Sequence, residues 1–359
     1  RRAGKSWGGF GVGPTVSSLR AIPAPPGSID AAVAWHYGDP LAEQRDLTAG
    51  IGIVDLSHRD VLEVSGADRL TWLHSLTTAN LLDLGPGQSR LVLILSPHGH
   101  VEHELHLVET GDSVLVSVEP GTGAALAAYL DSLRFMMRVE VTPRPDLAVV
   151  WEPIGAPDPD GHPSWLVPGE YWAGGDPTPA GTDRGGAADR YAPTRPADFP
   201  GREVLLARDQ ATARMHDGRP AGTWAMEALR TAAAVPRLGF ETDHRTLPHE
   251  VGWIGSGVHL AKGCYRGQEA VARVHNLGRP PRRLALAHLD GAAGVLPAHG
   301  DEVLLAERVV GWIGTAAQHH ELGPVATVVV KRAADPGADL LIRAADGDVL
   351  ATQEIVVVP

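Results

Sequence analysis

Apolar and polar positions alternate in blocks that predict mixed helix and strand over the first two thirds of the chain and strand alone afterwards. Trp35, Tyr37, Leu41 and Leu47 anchor a helical pattern within residues 33–58. It runs into an apolar strand, Gly50-Ile51-Gly52-Ile53-Val54-Asp55. Val61 to Val64 predicts a short strand. Asp68 stands as the N-cap of a helix carrying Leu70, Leu73, Leu76 and Leu81. A meander follows: Arg90 to Leu95, a turn at Pro97-His98-Gly99, Val101 to Leu107, a turn at Gly111-Asp112, then Val114 to Val118.

Residues 121–137 space Leu126, Tyr129, Leu130, Leu133 and Phe135 as one helical face, and Arg138 to Val141 is extended. Pro, Gly and Asp dominate residues 153–201, which predicts a surface loop with little apolar burial. Gly201 to Leu206 is a strand, and 221–234 a helix with Met226, Leu229 and Ala233 inside. Beyond Pro280-Pro281, the runs at 284–286, 303–305, 309–313 and 325–330 alternate with Gly, Pro and Asp breaks, as in a small barrel or sandwich.

Composition narrows the function classes. The 359 residues suffice for two or three domains, and the 43% hydrophobic fraction supports a core. No apolar run reaches membrane-spanning length, and the Gly- and Ser-rich start lacks a secretory apolar stretch, so no membrane association is expected. Residues 1–32 read mostly as a flexible arm. A net charge of −12 argues against direct nucleic-acid binding. The single cysteine, Cys264, forms no internal disulfide, fits a cytoplasmic location, and builds no metal or cluster site by itself.

Candidate chemistry concentrates at Lys262-Gly263-Cys264-Tyr265-Arg266-Gly267-Gln268-Glu269. Lys262 and Arg266 flank the thiol, and nearby cations favour thiolate, so Cys264 is a candidate functional thiol. The alternative is an inert, packed cysteine. Gly263 and Gly267 permit positive φ or close approach to a ligand. Lys262, Arg266, Arg273, Arg279, Arg282 and Arg283 stand against one acid, Glu269, in this otherwise acidic chain. The stretch reads either as a site for an anionic partner or as a solvated linker.

The octet resembles the signature of the YgfZ family of folate-binding proteins, relatives of the glycine-cleavage T-protein. Asp55-Leu56-Ser57-His58-Arg59, Leu73 to Thr78, Glu241-Thr242-Asp243 and Leu247-Pro248-His249-Glu250 extend the likeness across roughly residues 33–335. The resemblance implies an α+β fold: a T-protein-like three-part ring with a ferredoxin-like part and a C-terminal β-barrel, around a channel for tetrahydrofolate, possibly with a polyglutamate tail. It implies a first folate-binding part over 33–145. A ferredoxin-like part over 146–280 follows, carrying the loop 153–201 and returning to the channel with the octet, and the barrel spans 281–359.

Glu203 matches the glutamate that holds the pteridine edge in T-protein relatives, and Arg230 a nearby arginine. The resemblance adds Gly263, Tyr265, Gly267, Gln268, Glu269 and Arg273 as cofactor contacts. It gives Cys264, with Lys262 and Arg266, the chemistry. The aspartates of the aminomethyltransferases correspond to His103 and Glu104, which an alternating strand turns to opposite faces. Three functions follow from the resemblance. The first is a tetrahydrofolate-binding accessory protein for iron–sulfur clients, touching tRNA modification only indirectly. The second is an aminomethyltransferase, and the third a non-catalytic folate-binding module.

Overall fold

The computed structural model describes residues 20–158, 160–169, 191, 193 and 199–358. Most of the expected arm, residues 1–19, lies outside these, as does most of 170–198. Two short strands, β1 (Ile22–Pro23) and β2 (Ala34–His36), precede α1 (Pro40–Thr48). Asp39 starts that helix by accepting from the backbone N–H of Leu41 and Ala42, with Pro40 at the first helical position.

One antiparallel sheet, ordered β5-β6-β7-β4-β8, is built from β4 (Asp60–Ser65), β5 (Ser89–Leu95), β6 (Val101–Glu109), β7 (Ser113–Val118) and β8 (Glu140–Pro143). Helices α2 (Arg69–Leu76) and α3 (Gly123–Ser132) cover one face. Both faces are buried, which explains the unbroken apolar run of β5. Val92 and Ile94 pack towards the helices, and Leu91, Leu93 and Leu95 enter a core shared with the other parts. Helix α2 stops at Leu76, so the predicted helical anchor Leu81 sits instead in the following loop, still fully buried. Helix α3 ends before Phe135, which is exposed. Asp68 is the N-cap residue of α2, but its carboxylate holds the Arg138 guanidinium at 2.6 Å rather than the helix N–H groups.

The second sheet, ordered β10-β11-β9-β3-β12, joins β3 (Gly52–Asp55), β9 (Leu147–Pro153), β10 (Ser164–Leu166), β11 (Gly201–Ala207) and β12 (Arg219–Ala221). It draws β3 from the segment expected to form the first part, pairing it with β9 and, in parallel, with β12. Among the elements not anticipated are α4 (Arg208–Asp217), too polar for an apolar periodicity, and β10, inside the expected surface loop. The described part of that loop buries Trp165, Val167, Tyr191 and Phe199. A few large aromatics supply core surface that a Pro- and Gly-rich composition conceals. Helix α5 (Thr223–Ala232) is buried except at Trp224, and α6 (Gln268–Asn276) grows from the end of the octet.

The last part is a closed six-stranded barrel, β13-β16-β15-β14-β17-β18. Its strands are β13 (Arg282–Leu289), β14 (Glu302–Leu305), β15 (Arg308–His319), β16 (Gly323–Lys331), β17 (Leu340–Ala344) and β18 (Gly347–Ile355). A shift of register in β15 between Ile313 and Ala316 aims Thr315 out of the ladder towards Glu241. Gly314 is required there, because a Cβ would stand 2.8 Å from the Glu241 carboxylate. No described helix is long and apolar enough to cross a membrane.

Candidate ligand site

The three parts share one apolar core, and a charged cluster sits within it. Arg59, just after β3, donates from Nε to Ser117 Oγ at 2.9 Å and from Nη1 to Glu119 at 2.7 Å. Arg237 donates to both oxygens of Asp30, at 3.1 and 2.8 Å, and from Nε to Glu119 at 3.0 Å. Asp30 also lies 2.8 Å from His58 Nε2. Burial opposes ionisation of Asp30, but His58 and Arg237 outweigh it and hold the carboxyl well below its usual range. Burial likewise works against Glu119, and Arg237 and Arg59 lower it on balance.

Arg230 spends its donors within the protein. Its five N–H groups go to both oxygens of Glu227 (3.0 and 2.8 Å), the Val235 carbonyl (2.5 Å), Glu241 (3.2 Å) and Thr315 Oγ (2.6 Å). A guanidinium has five donors, so none remains. Arg230, expected as a folate contact, lines the central cavity with its donors engaged and ties α5 to the barrel.

Glu203 on β11 is different. It is 4% exposed and lines a cavity of about 60 Å³ whose apolar walls include Leu91, Trp151, Trp165, Met226 and Trp253. Its Oε1 lies 2.9 Å from His106 Nδ1, out of line for a hydrogen bond, and 3.7 Å from Arg59 Nε. Its Oε2 is buried and makes no hydrogen bond of good geometry, while the nearby Ser117 hydroxyl helps to hold the carboxylate charged. Burial pushes this carboxyl up, yet Arg59 and His106 pull it down to about 2, so it is an anion at neutral pH.

His106 stacks flat on Trp165, ring centroids 3.6 Å apart and planes 1° from parallel. Glu104, two residues earlier on β6 and on the same face, accepts from the Leu238 N–H at 3.1 Å and lies 3.5 Å from His106 Nε2. His103 points away, towards Tyr129 on α3, and burial lowers its pKa. Of the two candidate acid–base residues, Glu104 faces the cavity.

Taken together, Asp30, Glu104, Glu119, Glu203, Glu227 and Glu241 stand against Arg59, Arg230 and Arg237. Even with His58 and His106 protonated, the cluster is net negative. It suits a ligand that brings N–H donors.

None of the octet residues lines this cavity. Lys262 is buried, and its ammonium donates to the carbonyls of His74 and Thr77 at the C-terminal end of α2. Burial brings its pKa down to about 8, with the neighbouring thiol pulling it back up. Arg266 is spent on Glu102 (2.9 Å) and Tyr129 Oη (3.1 Å). Tyr265 is buried in the shared core. Gln268 reaches back to the Lys262 carbonyl at 3.5 Å, and Arg273 and Glu269 form an exposed pair at 3.4 Å.

Gly267 has φ +83°, and a Cβ there would stand 2.6 Å from the Ser96 carbonyl. Gly263 has neither constraint. Cys264 is exposed.

The basic stretch is largely neutralised from within. Arg282 binds Asp243 at 2.7 Å and Glu250 at 2.8 Å, and Arg283 is buried against the Lys331 carbonyl and Gln353. Arg279 is exposed, in the short exposed run 276–279. No group of three or more metal-ligating side chains forms a metal site among the described residues.

A wider groove of about 1130 Å³ opens on the outer face beside α1 and α4. Among its charges, Arg214 pairs with Glu152 and Arg219 with Asp46, and Asp39 caps α1. That leaves no counterpart of the Glu203 oxygen in those pairs.

Sequence reasoning missed Asp30, Arg59, His106, Trp165 and Arg237. The Glu104-x-His106 spacing placed both side chains on one face of β6 and was a usable signal. Asp30 and Trp165 fell in stretches whose composition reads as loop.

The comparisons bear on the fold. A family profile described as the GCVT N-terminal domain matches residues 32–147. The structure of glycine cleavage system aminomethyltransferase T from Bartonella henselae superposes with a TM-score of 0.71 at 17% identity, covering 96% of this chain and 94% of that one. The fold is T-protein-like. In sequence, the chain is 26% identical to the aminomethyltransferase of Synechococcus sp. (strain WH7803) over 331 residues, 85% of this chain and 87% of the relative. It is 27% identical to the aminomethyltransferase of Chromobacterium violaceum over 284 residues, 73% of each chain. The T-protein-like part matched by the profile contains β3 to β8, and with them Arg59, Glu104, His106 and Glu119.

Proposed function

We propose that the central cavity binds tetrahydrofolate through the amino-pyrimidine edge of its pteridine. The supporting observation is the buried, ionised Glu203 among aromatic walls, with an Oε2 that makes no hydrogen bond of good geometry. A carboxylate oxygen in that state costs free energy until a donor meets it, and the N–H edge of an aminopyrimidine supplies one. When bound, the folate would bring a one-carbon carrier to the cavity, and this chain's residues would bind and orient it. The free space of about 60 Å³ holds water-sized occupants, so a two-ring ligand has to displace a wall side chain. Trp165, on the three-residue edge strand β10, is the most easily moved.

Titration of the whole protein with tetrahydrofolate, wild type beside Glu203→Gln, tests the reading. Saturable binding weakened ten- to a hundredfold in the variant is the predicted result, the range for a hydrogen bond to a charged group. No wild-type binding would overturn it.

Within this reading, the accessory role towards iron–sulfur clients, in a cytoplasmic setting, rests on the YgfZ-like octet and its exposed thiol. One-carbon transfer is the second reading, favoured by Glu104 facing the cavity where the transferases carry an aspartate. An aminomethyl donor assay that yields methylene-tetrahydrofolate separates the two.

A further inference from the structure

Among the four glutamates that line the cavity, His106 stands between two, Glu203 and Glu104. Its Nδ1 stands 2.9 Å from Glu203 and its Nε2 3.5 Å from Glu104, and the ring is clamped flat against Trp165. We propose that His106 is held as an imidazolium, and that its charge makes the cavity select a neutral N–H donor edge over a cationic one. The ligand half of this proposal rests on the folate reading above, and the charge half does not.

Every element packed against the ring contributes. Glu104 lies on its own strand, and Glu203 on β11. Ser117 on β7 stands opposite it in register, with Glu119 just beyond. Arg59 comes from the turn after β3, and Arg237, bound to Glu119, from the loop after α5. Burial and Arg59 disfavour the charged ring, but Glu203 and Glu104 prevail and raise its pKa on balance.

The consequence is electrostatic. With Arg59 and an imidazolium beside it, Glu203 is already charge-compensated. It gains most from a neutral 2-amino-4-oxo pyrimidine edge, which adds hydrogen bonds without a further cation. A 2,4-diamino ring is more basic and binds a carboxylate as a cation, so the imidazolium repels it. Removing the imidazolium charge leaves Glu203 under-compensated and reverses that preference. His106 is therefore a positioning and specificity residue that acts on the ligand through Glu203.

The test has two arms. In the first, the imidazole of His106 is titrated by NMR in the ligand-free full chain, wild type and Glu203→Gln. The expected midpoint lies above the ordinary 6.5 and falls in the variant. A wild-type midpoint at or below 6.5 overturns the proposal whether or not folate binds.

In the second, affinities for a 2-amino-4-oxo pteridine and its 2,4-diamino counterpart are compared in wild type and His106→Gln. The ratio is expected to shift at least tenfold towards the diamino ring in the variant and, in the wild type, as pH rises past the measured midpoint. An unchanged ratio overturns the proposal. If neither ring binds the wild type, the folate reading falls and so does the selectivity half, while the titration still decides the charge.

Discussion

The Lys262 ammonium donates to the Thr77 carbonyl at 2.5 Å, from a loop to the end of a helix 185 positions away. That bond turns the first residue of the octet into a cap for α2. It also explains why a lysine can be buried there, since two carbonyls replace its water. Lys262→Met should destabilise the protein by about 1–3 kcal/mol, read as a lower urea midpoint. Tetrahydrofolate affinity should stay within twofold, because the side chain does not line the cavity.

Cys264 is exposed, and the flanking Arg266 is occupied by Glu102 and Tyr129. Under native conditions one equivalent of a maleimide should add to the folded protein, visible as a single mass increment. Cys264→Ser should leave stability within about 0.5 kcal/mol and folate affinity unchanged. A thiol that is unreactive until the protein is unfolded would contradict the exposed placement.

Arg230 holds buried Glu227, Glu241 and Thr315 together with the Val235 carbonyl. Arg230→Met removes one partner from two buried carboxylates and should cost about 3–5 kcal/mol. Arg230→Lys should rescue little, because an ammonium cannot reproduce the five-donor fork. Loss of folate binding with full stability would instead assign Arg230 to the ligand.

How far the sequence alone reached follows from these residues. The barrel, the meander of β5 to β7 and helix α5 were legible, because period-2 and 3.6-residue patterns survive where each face meets apolar neighbours. Glu203 was found through the resemblance, and its cavity position is a property of the packed sheet pair. The identity of the octet does not reveal that Lys262 and Gly267 also fix a helix end and a tight backbone approach. Asp30 and Trp165 were illegible for a different reason. A single buried residue within a Pro- and Gly-rich stretch leaves no periodic trace.

Stability should depend on pH through two carboxyls of opposite sign. Glu203 titrates near 2 in the folded chain against 4.5 normally, so its contribution is present above 4.5 and is lost as pH falls towards 2. Glu250, fully buried beside Arg282, is pushed up to about 7 by burial. Its folded form binds the proton more tightly, so the contribution is present below 4.5 and is lost as pH rises through 7, on the order of 3 kcal/mol in all. Glu250→Gln should flatten the fall in urea midpoint between pH 4.5 and 7. A variant with the wild-type slope over that range would contradict the assignment.

The measurement that bears most directly on the central claim is a crystal structure of the whole chain with tetrahydrofolate. The account predicts a pteridine inside the central cavity, its N–H edge within about 3 Å of Glu203 Oε2 and Trp165 displaced from His106. A ligand in the outer groove beside α4, or at the octet with Glu203 untouched, would contradict it.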